Sequence, residues 1–144
     1  MQNRAGDPVK LMNKELGKAF AKIGRQEGVD DPIVVAHFFN PSGSGDWYAT
    51  EMYYVIKKVQ SVKEPEIIEV EASKLDESIK GEILDMVFFG YVELLESEWG
   101  YFSLTELESV RLPFGLTIER DLYFNPAPIS KVCPKAFLGR HEGE

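Results

Sequence analysis

The sequence predicts an α+β domain: a mostly antiparallel sheet of about five to six strands, with two or three helices packed on it. Three observations support this fold class. The 144 residues are the usual length of one domain, a segment near the start has apolar residues at helical spacing, and turn residues separate several apolar segments that are rich in β-branched and aromatic residues. We expect a single domain over residues 10–129, with residues 1–9 as a flexible lead-in and residues 130–144 as a loose tail.

The first element is predicted to be a helix. Its apolar side chains share one stripe, at Met12, Leu16, Ala19, Phe20 and Ile23. Asn13 can accept a hydrogen bond at the helix start, and Gly24 can end the helix. Local signals therefore bound this helix at both ends.

Three strands and a second helix are predicted to follow. Residues 33–39 form a nearly continuous apolar run, which is typical of a strand buried on both faces. A turn-rich segment connects this run to residues 47–59, so a hairpin is the simplest connection. Residues 65–72 read as a shorter strand. A helix cap at Ser73 predicts the second helix, which Gly81 interrupts.

The last elements are predicted to be three strands and a helix. Residues 86–95 and 99–102 read as strands joined by an acidic corner. Ser103 begins a Ser-x-x-Glu capping box, which predicts a helix that Pro113 ends. Residues 116–124 read as a strand, whose two faces carry Ile118, Arg120, Leu122 and Phe124 on one side and Glu119, Asp121 and Tyr123 on the other.

Negative charge is concentrated in the middle of the chain. The net charge is −8, and residues 64–98 alone carry two basic and eleven acidic side chains, which gives −9. Such a segment repels a phosphate backbone, so direct nucleic-acid binding is not expected. We expect instead a protein partner with a basic surface, because regularly spaced carboxylates can imitate phosphates. The acidic residues of this predicted surface are Glu64, Glu66, Glu69, Glu71, Glu93, Glu96 and Glu98.

Aromatic residues complete the predicted partner surface. Tryptophan and tyrosine are favoured as anchors of protein interfaces. The aromatic members are Trp47, Tyr48, Trp99 and Tyr101. A structural alternative exists for both sets, because aromatic side chains can fill a sheet face and carboxylates can form a solvated face.

Four residues are candidates for catalysis or ligand binding, as acids, bases or metal ligands. They are His37, Glu51, Glu119 and Asp121. Arg120 is predicted to form a structural ion pair with a carboxylate, because a charge buried in a strand is costly unless it is paired. No cofactor is predicted, and no His or Cys pair has the spacing of a metal site.

The predicted location is the cytoplasm. Cys133 is the single cysteine and cannot form an internal disulfide, which fits a reducing compartment. No apolar stretch approaches the ~20 residues of a membrane-spanning helix, and the first residues are polar. No membrane association is therefore expected.

Seven sequence blocks occur in an order that resembles the bacterial family called domain of unknown function 2958. The blocks are Asp31-Pro-Ile-Val-Val35, Phe38-Phe-Asn-Pro41, Trp47-Tyr-Ala-Thr-Glu51, Phe88-Phe-Gly-Tyr-Val92, Glu98-Trp-Gly-Tyr-Phe-Ser-Leu104, Glu106-Leu-Glu-Ser-Val110 and Ile118-Glu-Arg-Asp-Leu-Tyr-Phe124. The resemblance covers residues 31–51 and 85–127. Residues 52–84 depart from the family pattern and carry much of the acidic excess, which indicates a role that typical members lack.

The resemblance implies no established activity. It implies an accessory protein of mobile elements and phages, encoded beside genes that counter host restriction or handle single-stranded DNA. The leading hypothesis is a non-enzymatic binding protein, in concrete form a counter-defence inhibitor or nucleic-acid mimic. Two alternatives stay open: a small enzyme or ligand- or metal-binding protein that uses the carboxylate cluster, and a structural protein that self-associates through a free strand edge.

Overall fold

The computed structural model describes residues 10–58 and 63–142. Within these ranges the strands are β1 (Ile33–Val34), β2 (Ala36–Phe39), β3 (Asp46–Lys58), β4 (Glu66–Glu71), β5 (Glu82–Glu93), β6 (Ser97–Ser103), β7 (Glu119–Arg120) and β8 (Ala127–Pro128). The helices are α1 (Lys14–Ile23), α2 (Leu104–Ser109), α3 (Ile129–Val132) and α4 (Pro134–Glu142). Residues 1–9, predicted as a flexible lead-in, lie outside the described ranges.

Six strands form one antiparallel sheet. Its order is β6-β5-β3-β2-β7, and β4 pairs with the second half of β3. β1 and β8 form a separate antiparallel pair. The predicted α+β class with a mostly antiparallel sheet is therefore confirmed. In the described part of the chain, no helix is long and apolar enough to cross a membrane.

Local capping signals fix the starts of two helices. The Asn13 side chain accepts a hydrogen bond from the Leu16 amide at 2.8 Å, and α1 ends at Gly24, whose φ of 72° suits glycine. The Ser103 hydroxyl oxygen accepts from the Glu106 amide at 3.0 Å and begins α2. Both predicted caps are confirmed.

The core lies between the sheet and helices α1 and α2, and we call this side of the sheet the core face. Phe88 sits at its centre, and its ring centroid lies 5.3 Å from that of Phe38, 5.4 Å from Phe102 and 5.7 Å from Phe20. All four rings are buried. Each such ring contributes roughly 1.5–3 kcal/mol through removal from water.

Helices α3 and α4 cover part of the opposite face, so the prediction of a loose tail is wrong for the described residues 130–142. Ile129, Cys133 and Ala136 are buried in a second cluster with Tyr91 of β5. Their spacing of four and three residues is that of one helical stripe. This stripe was present in the sequence, but it is divided between two short helices that meet at Cys133, and each helix carries too little of it to be recognised alone.

The predicted helix after Ser73 is wrong. The chain makes only a 3₁₀ turn at Ala72–Lys74, and β5 begins at Glu82. A Cβ atom added to Gly81 would lie 2.5 Å from the Lys57 carbonyl oxygen, so the backbone here runs tightly against β3. Strand pairing over a long sequence distance has overridden a local helix signal.

The strand predicted over residues 116–124 is mostly wrong. Only Glu119–Arg120 pair in the sheet, opposite Phe38 and Phe39 of β2. The Asp121 side chain accepts a hydrogen bond from the Tyr123 amide at 3.0 Å, and this turn ends the strand. Residues 33–39 are likewise divided at Val35 into β1 and β2.

Most of the described residues of segment 52–84 belong to strands of the sheet. β3 runs for 13 residues to Lys58, and β4 pairs with it from Tyr53 to Lys58. The acidic segment therefore extends the sheet instead of standing apart from it.

Candidate functional site

A β-bulge in β3 directs Glu51 away from the core. Ala49 pairs with Gly90 and Glu51 pairs with Phe89, so Thr50 is an extra residue in β3. Ala49 and the residue after Glu51, Met52, both contact the core cluster. A regular strand would put residues 49 and 51 on the same face, and the extra residue reverses this for Glu51.

Two other residues stabilise the bulge. A Cβ atom added to Gly90 would lie 1.8 Å from the Tyr48 carbonyl oxygen, so only glycine fits opposite the bulge. The buried Gln26 amide nitrogen donates to the carbonyl oxygens of Thr50 at 2.7 Å and Ile33 at 2.8 Å. The bulge is therefore held from both sides.

Glu51 lines an open cavity of about 210 Å³ on the face opposite the core. We call this cavity the aromatic cleft. Its main lining side chains are Glu51, Tyr53, Phe89, Trp99, Tyr101, Arg25 and Arg140. The strands β3, β5 and β6 supply its floor, and Arg140 reaches it from α4.

Glu51 is a buried carboxylate with one hydrogen-bond donor beside it in the described structure. It is 7% exposed, and the Tyr53 hydroxyl donates to it at 2.7 Å. Burial, followed by this hydrogen bond and the Glu51 charge, raises the pKa of Tyr53. Tyr53 therefore remains a neutral donor to the carboxylate at ordinary pH.

Three rings form the wall of the aromatic cleft. Phe89 stacks on Trp99 with centroids 6.0 Å apart, and its centroid lies 4.9 Å from Tyr101 in an edge arrangement. Tyr101 is 69% exposed at the mouth of the cleft. The Trp99 indole nitrogen is buried, and no described group accepts its hydrogen bond.

Two arginines lie at the rim of the cleft. The Arg140 guanidinium carbon is 4.9 Å from the centre of the Trp99 ring, a cation–π contact. Arg25 is paired with Glu27. Arg25 is thus neutralised by Glu27, and Arg140 is already stacked on the Trp99 ring.

His37 belongs to a separate cluster. Its Nε2 atom lies 2.7 Å from Asp46 and its Nδ1 atom lies 3.3 Å from Asp121, and the ring stacks on Tyr48 with centroids 4.8 Å apart. Both ring nitrogens are therefore occupied by contacts with carboxylate oxygens. Neither nitrogen is left for a substrate or a metal ion.

The four candidate catalytic residues do not converge. His37 and Asp121 meet, Glu51 lies in the aromatic cleft, and Glu119 contacts neither group through any side-chain hydrogen bond or ion pair of the described structure. Among the described residues, no group of three or more His, Cys, Asp or Glu side chains is placed to hold a metal ion.

The predicted ion pair of Arg120 is wrong. Arg120 forms no ion pair with any described residue, and its Nε atom is buried without a hydrogen-bond partner in that part of the chain. Burial lowers the pKa of this guanidinium. The flanking Asp121 is engaged by His37 and does not neutralise Arg120.

The predicted acidic surface is divided between two ends of the sheet. Glu69 lies opposite Val55 and Glu93 lies opposite Asp46, so nine residues of β3 separate them. At the rise of a strand this is roughly 30 Å. Glu64, Glu66 and Glu69 are exposed at one end, and Glu96 and Glu98 are exposed at the other.

Two of these acidic residues have structural contacts. Glu71 accepts hydrogen bonds from the Arg25 amide at 3.0 Å and the Ser73 hydroxyl at 2.6 Å. Glu93 lies 3.0 Å from Lys135 and accepts from the Cys133 thiol at 2.9 Å. Both residues therefore hold the fold together.

The four predicted aromatic anchors are divided as well. Trp47 is 8% exposed and packs in the core. Tyr48 stacks on His37, whereas Trp99 and Tyr101 form the wall of the aromatic cleft. Sequence reasoning missed Tyr53, Phe89 and Arg140, and only the Phe-Phe-Gly block around Phe89 carried a signal for them.

Comparison with known proteins matches part of the chain to a protein family. Residues 72–137 match the model of a family described as "Protein of unknown function (DUF2958)", so the chain resembles this family. The matched range includes residues 85–127 and the last part of segment 52–84, and it does not include residues 31–51. It contains the aromatic wall of the cleft but not Glu51. No curated protein and no solved structure matched the chain.

Proposed function

We propose that this protein binds a protein partner and that the aromatic cleft takes up a basic side chain of that partner. The observation that carries the proposal is Glu51, a carboxylate buried at the base of an open cleft, to which one described group, the Tyr53 phenol, donates a hydrogen bond. Burying a charge without a counter-charge is costly, so a cation that enters the cleft gains more than one that pairs at the surface.

Arginine is the side chain that fits this cleft best. A guanidinium is flat, stacks on aromatic rings and donates two parallel hydrogen bonds to one carboxylate. The cleft offers these features through Phe89, Tyr101 and Glu51. Arg140 on Trp99 is an internal example of the same stacking.

The exposed acidic residues have a supporting role in this proposal. Glu66 and Glu69 on β4, with Glu96 and Glu98 at the far end, give the protein a negative field without forming one continuous patch. Such a field speeds the approach of a basic partner and weakens with salt. Reversing Glu66 and Glu69 to lysine should therefore slow association more than it changes dissociation.

The concrete form of the proposal is a cytoplasmic counter-defence protein of a mobile element or phage. Its support is the family resemblance together with the acidic charge of the chain. A basic host protein that handles nucleic acid is the expected partner class, because its surface offers the arginines that the cleft would bind.

Titration with a capped arginine tests the binding step. Binding of the capped arginine should shift the NMR signal of the Trp99 indole. Glu51→Gln should weaken the affinity by at least about tenfold, because a charge-assisted pair is lost. Glu98→Gln removes an equal charge outside the cleft and should leave the affinity within about twofold. Equal affinities of wild type and Glu51→Gln would refute the proposal.

Self-association is a second candidate, which one observation favours. β6 lies at the end of the sheet order, so in the described structure no strand pairs with its outer edge. Two copies could pair along this seven-residue edge. Light scattering that shows a dimer, together with its loss when Gly100 is replaced by proline, would support this alternative.

A further inference from the structure

A second cavity lies on the core-face side of the sheet, between α1 and the chain that follows β7. Its volume is about 260 Å³. Apolar walls come from Leu16, Val35 and Phe124, and the charged groups at its lining include Arg120 and Asp121. The cavity thus combines a small apolar space with an arginine.

The charge of Arg120 is not compensated within the described protein. Both oxygens of Asp121 are engaged, one by His37 and the other by the Tyr123 amide. Glu15, which also lines the cavity, lies 3.8 Å from Lys18, and both side chains are largely exposed. Among the described residues, no carboxylate forms an ion pair with Arg120.

The start of α1 adds a second positive element. Asn13 and Leu16, at the amino-terminal end of this ten-residue helix, line the same cavity. Partial positive charge at a helix start favours an anion. Glu15 lies in this first turn and offsets part of that charge, so Arg120 is the main positive group of the cavity.

We infer that this cavity binds a small organic anion, a carboxylate or phosphate group on a short apolar body, which Arg120 holds. An arginine that lacks a counter-charge gains a charge-assisted hydrogen bond when such an anion enters. The apolar walls accommodate the rest of the ligand. This site is independent of the aromatic cleft, which lies on the other face and would receive a cation.

NMR titration of the full chain with three probes tests the inference. Hexanoate carries the anion and the apolar body, hexanamide lacks the charge, and phenyl phosphate replaces carboxylate by phosphate. The amide signals of Ala36 and Leu122 should shift when hexanoate or phenyl phosphate is added. The protein should bind hexanamide at least about tenfold more weakly than the anion that it prefers. Whichever anion binds more tightly identifies the head group. Equal binding of hexanamide, or no shift with either anion, overturns the inference.

Two variants and a control locate the site. Arg120→Gln should abolish binding of the anion, whereas Arg111→Gln should not, because Arg111 is exposed and donates to the Glu108 carbonyl oxygen at 2.7 Å. Ala19→Phe fills the cavity and keeps Arg120, so it should also abolish binding, which guards against a folding defect in the first variant. Binding retained in either cavity variant overturns the inference.

Discussion

The two faces of the sheet are built from the same strands, yet they bury different groups. The core face packs Phe88 against other phenylalanine rings beneath α1 and α2. The opposite face encloses the carboxylate of Glu51 and the ring of His37 among aromatic side chains, and α4 covers only part of it. The first face stabilises the fold, and the second carries the polar groups with which a partner could interact.

The difference arises from a single extra residue in β3. Without Thr50 as the bulge residue, Glu51 would point into the phenylalanine core, where an unpaired carboxylate is strongly unfavourable. With the bulge, the same residue becomes the floor of a cleft. A local register shift is therefore enough to convert a destabilising residue into a candidate binding group.

Replacing Gly90 tests the bulge and should have the largest effect. Gly90→Ala places a methyl group against the Tyr48 carbonyl oxygen, so we expect a loss of about 4 kcal/mol or more in the free energy of unfolding, or no folded protein. Gly100 is the cross-strand partner of Gly90 and has open space around it, so Gly100→Ala should cost less than about 1 kcal/mol. Urea unfolding measures both, and similar values would contradict the bulge geometry.

Two adjacent phenylalanines separate the roles of the faces. Phe88→Ala should reduce the free energy of unfolding by about 3–5 kcal/mol, because this ring is fully buried in the core. Phe89→Ala, in the half-buried cleft wall, should cost about half as much and should weaken the binding of capped arginine. Equal losses of stability with unchanged binding would show that the faces do not differ in this way.

His37 contacts Asp46, Asp121 and the Tyr48 ring on the opposite face. His37→Ala leaves Asp46 and Asp121 without their shared partner, so we expect a loss of about 1–3 kcal/mol in the free energy of unfolding. Capped arginine should bind as before, since His37 does not line the aromatic cleft. Abolished binding in a folded His37→Ala protein would show that the two clusters act as one site.

The contact between Cys133 and Glu93 predicts a dependence of stability on pH. Burial and the hydrogen bond to Glu93 raise the pKa of the Cys133 thiol from 9.0 to about 11. The Cys133 thiol therefore ionises at a lower pH in the unfolded chain than in the folded protein. Its contribution to the free energy of unfolding is intact below pH 9 and decreases as the pH rises toward 11. The unfolding midpoint of wild type should fall relative to Cys133→Ala across this window, and parallel curves would refute the prediction.

Arg120 should have the smallest effect on the fold. Breaking a buried ion pair by removing one partner typically lowers the free energy of unfolding by about 3–5 kcal/mol. Arg120 has no carboxylate partner in the described structure. Arg120→Met should therefore change the free energy of unfolding by less than about 1 kcal/mol, measured by urea unfolding. A large loss would contradict the view that Arg120 contributes little to the stability of the fold.

Local chemistry explains which parts of the fold could be predicted from the sequence. The caps at Asn13 and Ser103 depend on neighbouring residues only, and both were found. The start of β5 and the turn at Asp121 depend on distant strands, so local patterns predicted a helix and a longer strand instead. Alternation along a segment indicates a strand without showing where its partner ends.

The site was less predictable than the fold for a related reason. Glu51, Trp99 and Tyr101 were named as candidates, but the sequence assigned them to different roles. Only the register between β3 and β5, with Gly90 opposite the bulge, brings them into one cleft. Whether a charge such as Arg120 finds a partner is likewise decided by packing, which residue spacing does not reveal.

The most direct measurement compares capped arginine with capped citrulline, which has nearly the same shape but no charge. If Glu51 binds a cation, wild type should prefer arginine by at least about tenfold, and in Glu51→Gln the two dissociation constants should become nearly equal. An arginine preference that persists unchanged in Glu51→Gln, or no preference in the wild-type protein, would contradict the account.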